Sequence, residues 1–458
     1  MKELFEKIYY KINKLDPTQV MIMGFAIIIL IGAFILNLPI STKNGESIGF
    51  LDALFTSTSA VCVTGLVVVD TATYWNFFGQ LVIIFLIQIG GLGFMTITTM
   101  FAIIARKKIN LRERLLIQES LNQVDLSGLV KLSKYIIFMT FSIEGIGAIL
   151  LSTVFIPQFG FLKGIFYSIF HSISAFCNAG FDLMGEVSGE FSSLTYYFNN
   201  FTVTITVSLL IIFGGLGFPV ILDVFKNRKF KKLNTHSKLV LSSSAFLILS
   251  AMLFILILEF DNPDTLGKLE FKDKILASLF QSVTTRTAGF NTIDLTFMKE
   301  STLFLMIIFM IIGASPASTG GGIKTTTFAV LILEVKSFIR QKQDIEIYNR
   351  RVSVGAIRKS LSIFLIAICV ISLGTLIISI TEPHFTLLEA GFEVVSAFAT
   401  VGLSIGGSAS LSVLGKLFII IFMFIGRVGS LTFFTALLIR KNKKKTLIRY
   451  PEDKIIVG

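Results

Sequence analysis

The apolar positions fall into eight runs, at residues 19–40, 77–105, 135–156, 198–225, 238–259, 302–335, 360–380 and 411–439. A run of about 18 or more apolar residues is long enough to cross a membrane as a helix, so the pattern predicts an integral membrane protein. Shorter amphipathic segments, at 51–62, 164–177, 271–285 and 386–399, stand one inside each successive pair of runs. At about 12–15 residues they do not reach across a hydrocarbon layer about 30 Å thick. They are predicted to enter the membrane and turn back. No small-residue cleavage site follows the first run, which therefore reads as a retained helix rather than a signal peptide.

The ends of the short segments repeat. AVCVTGLVVVD (60–70), AFCNAGFDLMG (175–185), TTRTAGFNTID (284–294) and AFATVGLSIGG (397–407) align without gaps. Their shared glycines, Gly65, Gly180, Gly289 and Gly402, are 115, 109 and 113 residues apart, and Cys62, Cys177, Arg286 and Ala399 share one column. The following run carries a second glycine motif each time: GGLGF (90–94), GGLGF (214–218), GASPASTGGG (313–322) and GRVGS (426–430). The predicted plan is helix, re-entrant helix, extended turn, helix, four times over. One isolated glycine of this kind reads as a helix-packing residue; four in matched context do not. Non-helical backbone at membrane depth persists only where protein buries it or it lines water, and four such turns around one axis make a pore.

Charge sharpens this picture. Only 15% of residues are charged, against about 25% in soluble domains. The net charge of +12 invites a nucleic-acid reading, which its distribution excludes. Of the 41 basic residues, 31 lie in five blocks, at 1–18, 106–134, 226–238, 336–359 and 440–458, which separate successive pairs of runs. The connector 259–274 is rich in acids. This is the positive-inside pattern of a multi-pass protein of the cell membrane, with the lipid bilayer as its surroundings and both termini cytoplasmic. Arg286, Lys324 and Arg427 are left at membrane depth, where a charge is costly and so points to function.

The residues at the turns suit a cation. A dehydrating alkali ion needs inward-facing oxygens on several sides, which rings of backbone carbonyls supply without formal charge, and glycine adopts the backbone angles that such alignment needs. Val63-Thr64-Gly65, Asn178-Ala179-Gly180, Thr287-Ala288-Gly289 and Thr400-Val401-Gly402 carry no carboxylate, which points to K⁺ ahead of Na⁺ and away from divalent ions. The second strand departs most, with Asn178 where the third and fourth have Thr. Arg286 reads as bracing the third turn from behind, through carbonyl or carboxylate bonds, with Glu389 and Glu393 as partners. In GASPASTGGG, one Pro and four Gly disfavour helix by roughly 7 kcal/mol, so the third repeat's second helix is expected to break there.

These residues carry a resemblance. AVCVTGL (60–66), TRTAGF (285–290) and GASPASTGGGIKT (313–325) are similar to the Trk/Ktr/HKT superfamily of potassium transporters, over roughly residues 19–440. With the first spanning run starting near residue 19, the chain resembles the Ktr-type membrane subunit rather than the Trk type. The resemblance implies an all-α membrane protein of four fused helix–pore-helix–helix repeats around one pseudo-fourfold pore, with eight transmembrane helices. It implies K⁺ bound only at the filter carbonyls of the twelve residues named above. It makes 313–324 an intramembrane gate loop (Gly313, Ala314, Ser315, Pro316, Ala317, Ser318, Thr319, Gly320, Gly321, Gly322 and Lys324), whose glycines supply mobility. Arg427 becomes a second gate element; the alternative is a structural Arg bonded to carbonyls of the broken helix. Lys324 is left open between cavity and solvent. The implied partners are a second copy of the chain and a cytoplasmic, nucleotide-binding KtrA-like regulatory ring. The blocks 106–134 and 226–238 are candidate docking surfaces, and the tail YPEDKIIVG (450–458) a dimer contact.

The expected divisions are a cytoplasmic segment 1–18, repeat 1 at 19–108, a basic linker with repeat 2 at 109–228, repeat 3 at 229–345, repeat 4 at 346–440 and a cytoplasmic tail 441–458. Transport in some relatives depends on Na⁺, and a Na⁺-selective or Na⁺/K⁺ symporter on the same scaffold is the alternative; serine at the first filter position accompanies Na⁺ preference in plant relatives, and Gly65 stands there here. GGGIKTTT superficially matches a phosphate-binding loop, but Ile323 separates glycine from Lys324 and no soluble strand precedes it. No organic cofactor, metal cluster or catalytic group is expected: Cys62, Cys177 and Cys369 read as packing residues, His171, His236 and His384 are scattered, and the chain is not read as an enzyme. Glu144 is expected in a helix–helix hydrogen bond; Asp52, Asp70 and Asp182, near the outer ends, read by default as ordinary solvated charges, with concentration of cations by their local field as the functional alternative.

Overall fold

The computed structural model describes residues 16–93, 96, 99, 111–120, 128–438, 451 and 453. The segment 1–15, much of the basic block 106–134 and nearly all of the tail 441–458 lie outside the described residues.

Each repeat opens with a long apolar helix: Pro17–Leu36, Leu129–Phe159, Thr235–Glu259 and Val354–Thr381. The first of these buries Met21, Phe25, Ile29, Ala33 and Leu36 along one stripe and turns Ile27, Leu30, Ile31 and Phe34 outward. A helix apolar on its exposed face as well as its packed face is one made for lipid. The re-entrant helices follow at Phe50–Cys62, Phe161–Phe176, Phe271–Thr284 and Leu387–Ala399, close to the predicted limits. Each packs against the long helix of its own repeat.

The second helices differ from the expectation of three continuous spans and one broken one. All four break. Phe77–Leu92 ends at Gly93 (φ 78°); Phe201–Leu216 and Phe218–Asn227 meet at Gly217 (φ 91°) with a bend of 99°; Val413–Val428 and Ser430 onward meet at Gly429 (φ 93°) with a bend of 97°. The reason lies in the last glycine of each GGLG or GRVG, whose positive φ is incompatible with helix continuation. In the third repeat Glu300–Ile311 and Thr325–Ile339 are separated by the whole loop 312–324. Among the described residues four helices are therefore long and apolar enough to cross a membrane as single rods, the two bent pairs are together long enough to do so, and Phe77–Leu92 and Glu300–Ile311 are short apolar helices in the corresponding places.

The repeats close into a ring. Phe77–Leu92 packs on the re-entrant helix of repeat 2, Phe201–Leu216 on that of repeat 3, Glu300–Ile311 on that of repeat 4, and Val413–Val428 back on that of repeat 1. Close approach of the second helix to the turn of its own repeat requires glycine. A Cβ at Gly90, Gly214 or Gly426 would overlap the carbonyl oxygen of Val61, Phe176 or Phe398, which share one column of the repeat. Between repeats 3 and 4 a small hairpin pairs Glu346–Ile347 with Arg350–Arg351 through Tyr348 and Asn349, both at positive φ.

Replacing Gly426 by Ala is expected to destabilise the fold by about 1–3 kcal/mol, since the new methyl has only backbone to displace. Gly145→Ala, on a long helix with nothing within 4 Å of the new Cβ, is expected to be neutral or stabilising. Thermal unfolding of the two solubilised variants distinguishes them.

A ring of four glycine turns above a loop

Immediately after each re-entrant helix the backbone adopts the same unusual pattern. Val63, Asn178, Thr287 and Thr400 have φ of 57°, 59°, 61° and 52°, and Gly65, Gly180, Gly289 and Gly402 have φ of 93°, 72°, 79° and 89°. A left-handed residue, then one that is not, then a left-handed glycine: this alternation turns successive carbonyls to one side, which a regular strand does not do. Non-glycine residues at these angles are strained, and here four occur in equivalent positions.

The four glycines face one another. A Cβ on Gly65 would lie 2.5 Å from Ala179 O, one on Gly180 2.8 Å from Ala288 O, and one on Gly289 2.8 Å from Val401 O. One on Gly402 would overlap Thr64 O, which closes the circle. The twelve residues of the four turns thus lie around one axis: the eight that are not glycine are fully buried, and none of the four glycines has room for a methyl group.

Hydroxyl groups on the re-entrant helices hold the turns, and these the sequence reading missed. Gly65 N–H donates to Ser59 Oγ (3.0 Å) and Gly402 N–H to Ser396 Oγ (3.1 Å). Ser174 Oγ donates to Phe181 O (2.6 Å) and Thr284 Oγ1 to Phe290 O (2.5 Å). Extending the alignment one residue upstream would have found them: serine precedes the quoted motif in repeats 1, 2 and 4, while repeat 3 has Val283 there and uses Thr284 instead.

On one side the ring opens into a vestibule of about 650 Å³, lined by all four glycines and by Asp70, Asp182, Glu190, Asp264 and Asp294. Asp52 does not join them. It pairs with Lys416 at 2.6 Å instead. Asp70 ties two loops together, accepting from the N–H groups of Ala72, Thr73 and Phe191.

On the other side lies the loop 313–324. Ser315 N–H and Thr319 N–H bond Gly215 O (2.9 Å) and Gly214 O (3.1 Å), Phe218 N–H bonds Ala317 O (2.9 Å), and Gly313 N–H bonds Ile323 O (2.9 Å) at the neck. Ala314 O accepts from Thr325 N–H (3.3 Å), and Ser318 Oγ donates to Ser315 O (2.6 Å). Pro316 O lies where a Cβ on Gly217 would fall. Gly320 and Gly321 press against the side chains of Thr287 and Thr400, with no space for a Cβ at either, and a Cβ on Gly322 would lie 3.3 Å from Ala399 O. The loop therefore crosses directly beneath the ring. Its glycines serve close approach there, where mobility had been the expected reason.

Two cations hold it. Lys324, left open between cavity and solvent by the sequence, reaches back to Gly320 O (2.7 Å) and Gly321 O (3.4 Å). Arg427 Nη1 donates to Thr319 O, and Nη2 to Gly90 O and, at 3.4 Å, Gly91 O. It thus joins the loop to the last carbonyls of the helix Phe77–Leu92. Below the loop is a second cavity of about 520 Å³ bordered by Gly91, Gly93, Ser318, Gly320, Lys324 and Arg427.

Arg286 is not braced by the expected carboxylates. Its side chain is buried against Ile211, Ile212, Ile248 and Val283, with Nε and Nη2 unpartnered among the described residues. Glu389 closes the start of its own helix by accepting from Thr386 N–H (2.7 Å), and Glu393 accepts from Ser404 and Ser408 in the loop beyond its own turn. Both lie in the fourth repeat and are used locally. Glu144 does accept a helix–helix bond, from Gln88 Nε2 at 3.1 and 3.3 Å. His171 accepts from Leu183 N–H at 3.2 Å, and among the described residues no group of His, Cys, Asp and Glu could hold a metal.

The TrkH family, described as "Cation transport protein", matches residues 4–446. The Ktr system potassium uptake protein B of Bacillus subtilis is 44% identical over 445 residues, covering 97% of each chain. The potassium/sodium uptake protein NtpJ of Enterococcus hirae is 43% identical, covering 97% of this chain and 98% of its own. Among solved structures, the potassium transporter TrkH from Vibrio parahaemolyticus superposes with a TM-score of 0.69 at 16% identity, over 92% of this chain and 84% of its own, a likeness of fold. A four-part ring of glycine turns and a match along nearly the whole sequence lead to one conclusion: this chain belongs to the TrkH family of cation transport proteins.

Proposed function

We propose that the chain is the ion-translocating subunit of a Ktr-type potassium uptake system in the cell membrane. K⁺ enters the acidic vestibule, sheds water against the carbonyls of residues 63–65, 178–180, 287–289 and 400–402, and passes inward when the loop 313–324 withdraws. The observation that carries this reading is the ring itself: four equivalent turns with alternating left-handed residues around one axis. An all-carbonyl ligand set favours a large alkali ion with little hydration energy to replace. The printed names of two relatives, potassium uptake protein B and potassium/sodium uptake protein NtpJ, agree with K⁺ and keep Na⁺ as the alternative or coupled ion.

In this reading the vestibule faces outward and the loop, the basic block 226–238 and both termini face the cytoplasm, with repeat limits at 19–108, 109–228, 229–345 and 346–440. A second copy of the chain and a nucleotide-binding KtrA-like ring are the proposed partners; the word "system" in the relatives' names supports further components. No organic cofactor belongs to this chain, and its work is transfer of an ion rather than a covalent reaction.

Uptake of ⁸⁶Rb⁺ into proteoliposomes, competed by K⁺ and Na⁺, tests the filter and the gate together. Wild type is expected to favour K⁺. Gly289→Ser, forced into a left-handed conformation against Val401 O, is expected to lose about tenfold in uptake and to discriminate less, in keeping with a strain of about 1–2 kcal/mol. Deletion of 315–322 is expected to raise uptake. Unchanged uptake in the serine variant rejects the carbonyl filter, and preferred Na⁺ uptake by wild type establishes the alternative ion.

Acid on the vestibule side supplies a separate test. Burial, and secondarily the neighbouring Asp70, push the Asp182 carboxyl up to about 7. A group with a raised value is charged above it and neutral below. Lowering the outside pH from about 8 to 6 should therefore remove a negative charge beside the entrance and reduce uptake at subsaturating K⁺. Asp182→Asn should show the reduced uptake at both pH values.

A further inference from the structure

We propose that Asn178 is the latch that fastens the loop 313–324 to the filter, so that gate position and filter geometry are coupled; this rests on the reading of the turns as filter and the loop as gate. The position just before the ring is Val63, Thr287 or Thr400 in the other repeats, and the backbone there is left-handed in all four. Asparagine is among the side chains that tolerate this conformation best, and its amide offers a donor and an acceptor together.

Both ends of that amide are engaged. Nδ2 donates to Arg286 O at 3.3 Å, at the base of the third filter strand, and Oδ1 accepts from Thr319 Oγ1 at 3.0 Å, in the middle of the loop. A carbonyl oxygen can only accept, so the bond to Arg286 O fixes which way the amide faces. The Thr319 hydroxyl has a second, longer acceptor in Phe176 O (3.2 Å), and the residue is held from two further sides, through its N–H by Gly214 O (3.1 Å) and through its carbonyl by Arg427. Of these four restraints, only Asn178 belongs to a filter strand. The loop's other bond to the filter, Gly321 N–H to Thr400 Oγ1 at 3.1 Å, engages the fourth strand.

The consequence is reciprocal. Withdrawal of the loop leaves a buried amide oxygen unpaired beside strand 3, and distortion of strand 3 loosens the hold on Thr319. Two sites that share one bonded side chain bias each other by the same free energy in both directions. Arg427, by contrast, holds the loop to the helices and touches no filter strand, so releasing it opens the gate without altering discrimination.

A double-mutant cycle on the full chain in proteoliposomes tests this, reading ⁸⁶Rb⁺ uptake and the Rb⁺/Na⁺ uptake ratio. Asn178→Val copies repeat 1, where valine takes the same left-handed φ. Thr319→Val keeps the shape and removes the hydroxyl. Each is expected to raise uptake about threefold to tenfold, the weight of one net hydrogen bond. The pair should rise no further than the larger single change, because both remove the same bond. Asn178→Val should also lower the Rb⁺/Na⁺ ratio about threefold, Thr319→Ser should restore wild-type uptake, and Arg427→Gln should raise uptake at an unchanged ratio. Additive effects, or an open gate in Asn178→Val with the ratio unmoved, overturn the latch. If deletion of 315–322 raises uptake and Thr319→Val does not, the gate stands and the latch alone is rejected; if the deletion changes nothing, both fall. Should Asn178→Val not fold, the comparison of Thr319→Val with Thr319→Ser decides the matter through the loop side of the same bond.

Discussion

Backbone N–H and C=O groups at membrane depth have no water to turn to, and that constraint organises this molecule. Helices meet it internally. Four turns do not, because their carbonyls are turned to one side rather than paired along a ladder. They persist because each is wrapped by two helices of its own repeat and a second helix of the preceding one, and because hydroxyls at Ser59, Ser174, Thr284 and Ser396 take up polar groups at its edges. In the proposed function the carbonyls left over on the axis are the ones that replace an ion's water.

The same constraint explains the broken second helices. A helix that stops at membrane depth leaves its last carbonyls bare. At Gly90 and Gly91 the guanidinium of Arg427 supplies donors, and at Gly214 and Gly215 the N–H groups of Thr319 and Ser315 do so. The loop is thus both an obstruction on the axis and the cap of a neighbouring helix. Moving it would expose those carbonyls, so these bonds stabilise the position in which the loop lies across the axis. Two buried cations make sense on these terms: Lys324 and Arg427 are engaged with carbonyls of the loop and of the helix Phe77–Leu92, where their N–H groups hold the loop beneath the ring.

Much of this was legible in the chain. Apolar run length marks spans, and the failure of 51–62 and its three counterparts to reach that length marks re-entry. A glycine recurring at nearly equal intervals in one context marks a repeated backbone conformation, since only a shared φ requirement gives glycine that regularity. The break in GASPASTGGG followed from helix propensity, and the structure places it between Ile311 and Thr325. The right-angle bends at Gly217 and Gly429 were not legible. A lone glycine at the end of GGLG is compatible with a straight apolar helix, and only packing selects the bend.

What the sequence by itself determined is therefore the periodic part: membrane class, four repeats, the position of each turn and the site of the long interruption. These follow from local rules, in which a run's length or a glycine's freedom acts on its own neighbours. The tertiary structure alone decided which side chains meet. Asp52 turned to Lys416, Glu389 and Glu393 stayed within their own repeat, Lys324 folded back on the loop, and Asn178 bridged the third turn and the loop across 108 and 141 residues of sequence. Such pairings depend on the ring having closed, because a polar group buried in a membrane protein bonds to whatever donor or acceptor the neighbouring repeat brings within about 3 Å, and no spacing along the chain encodes that neighbour.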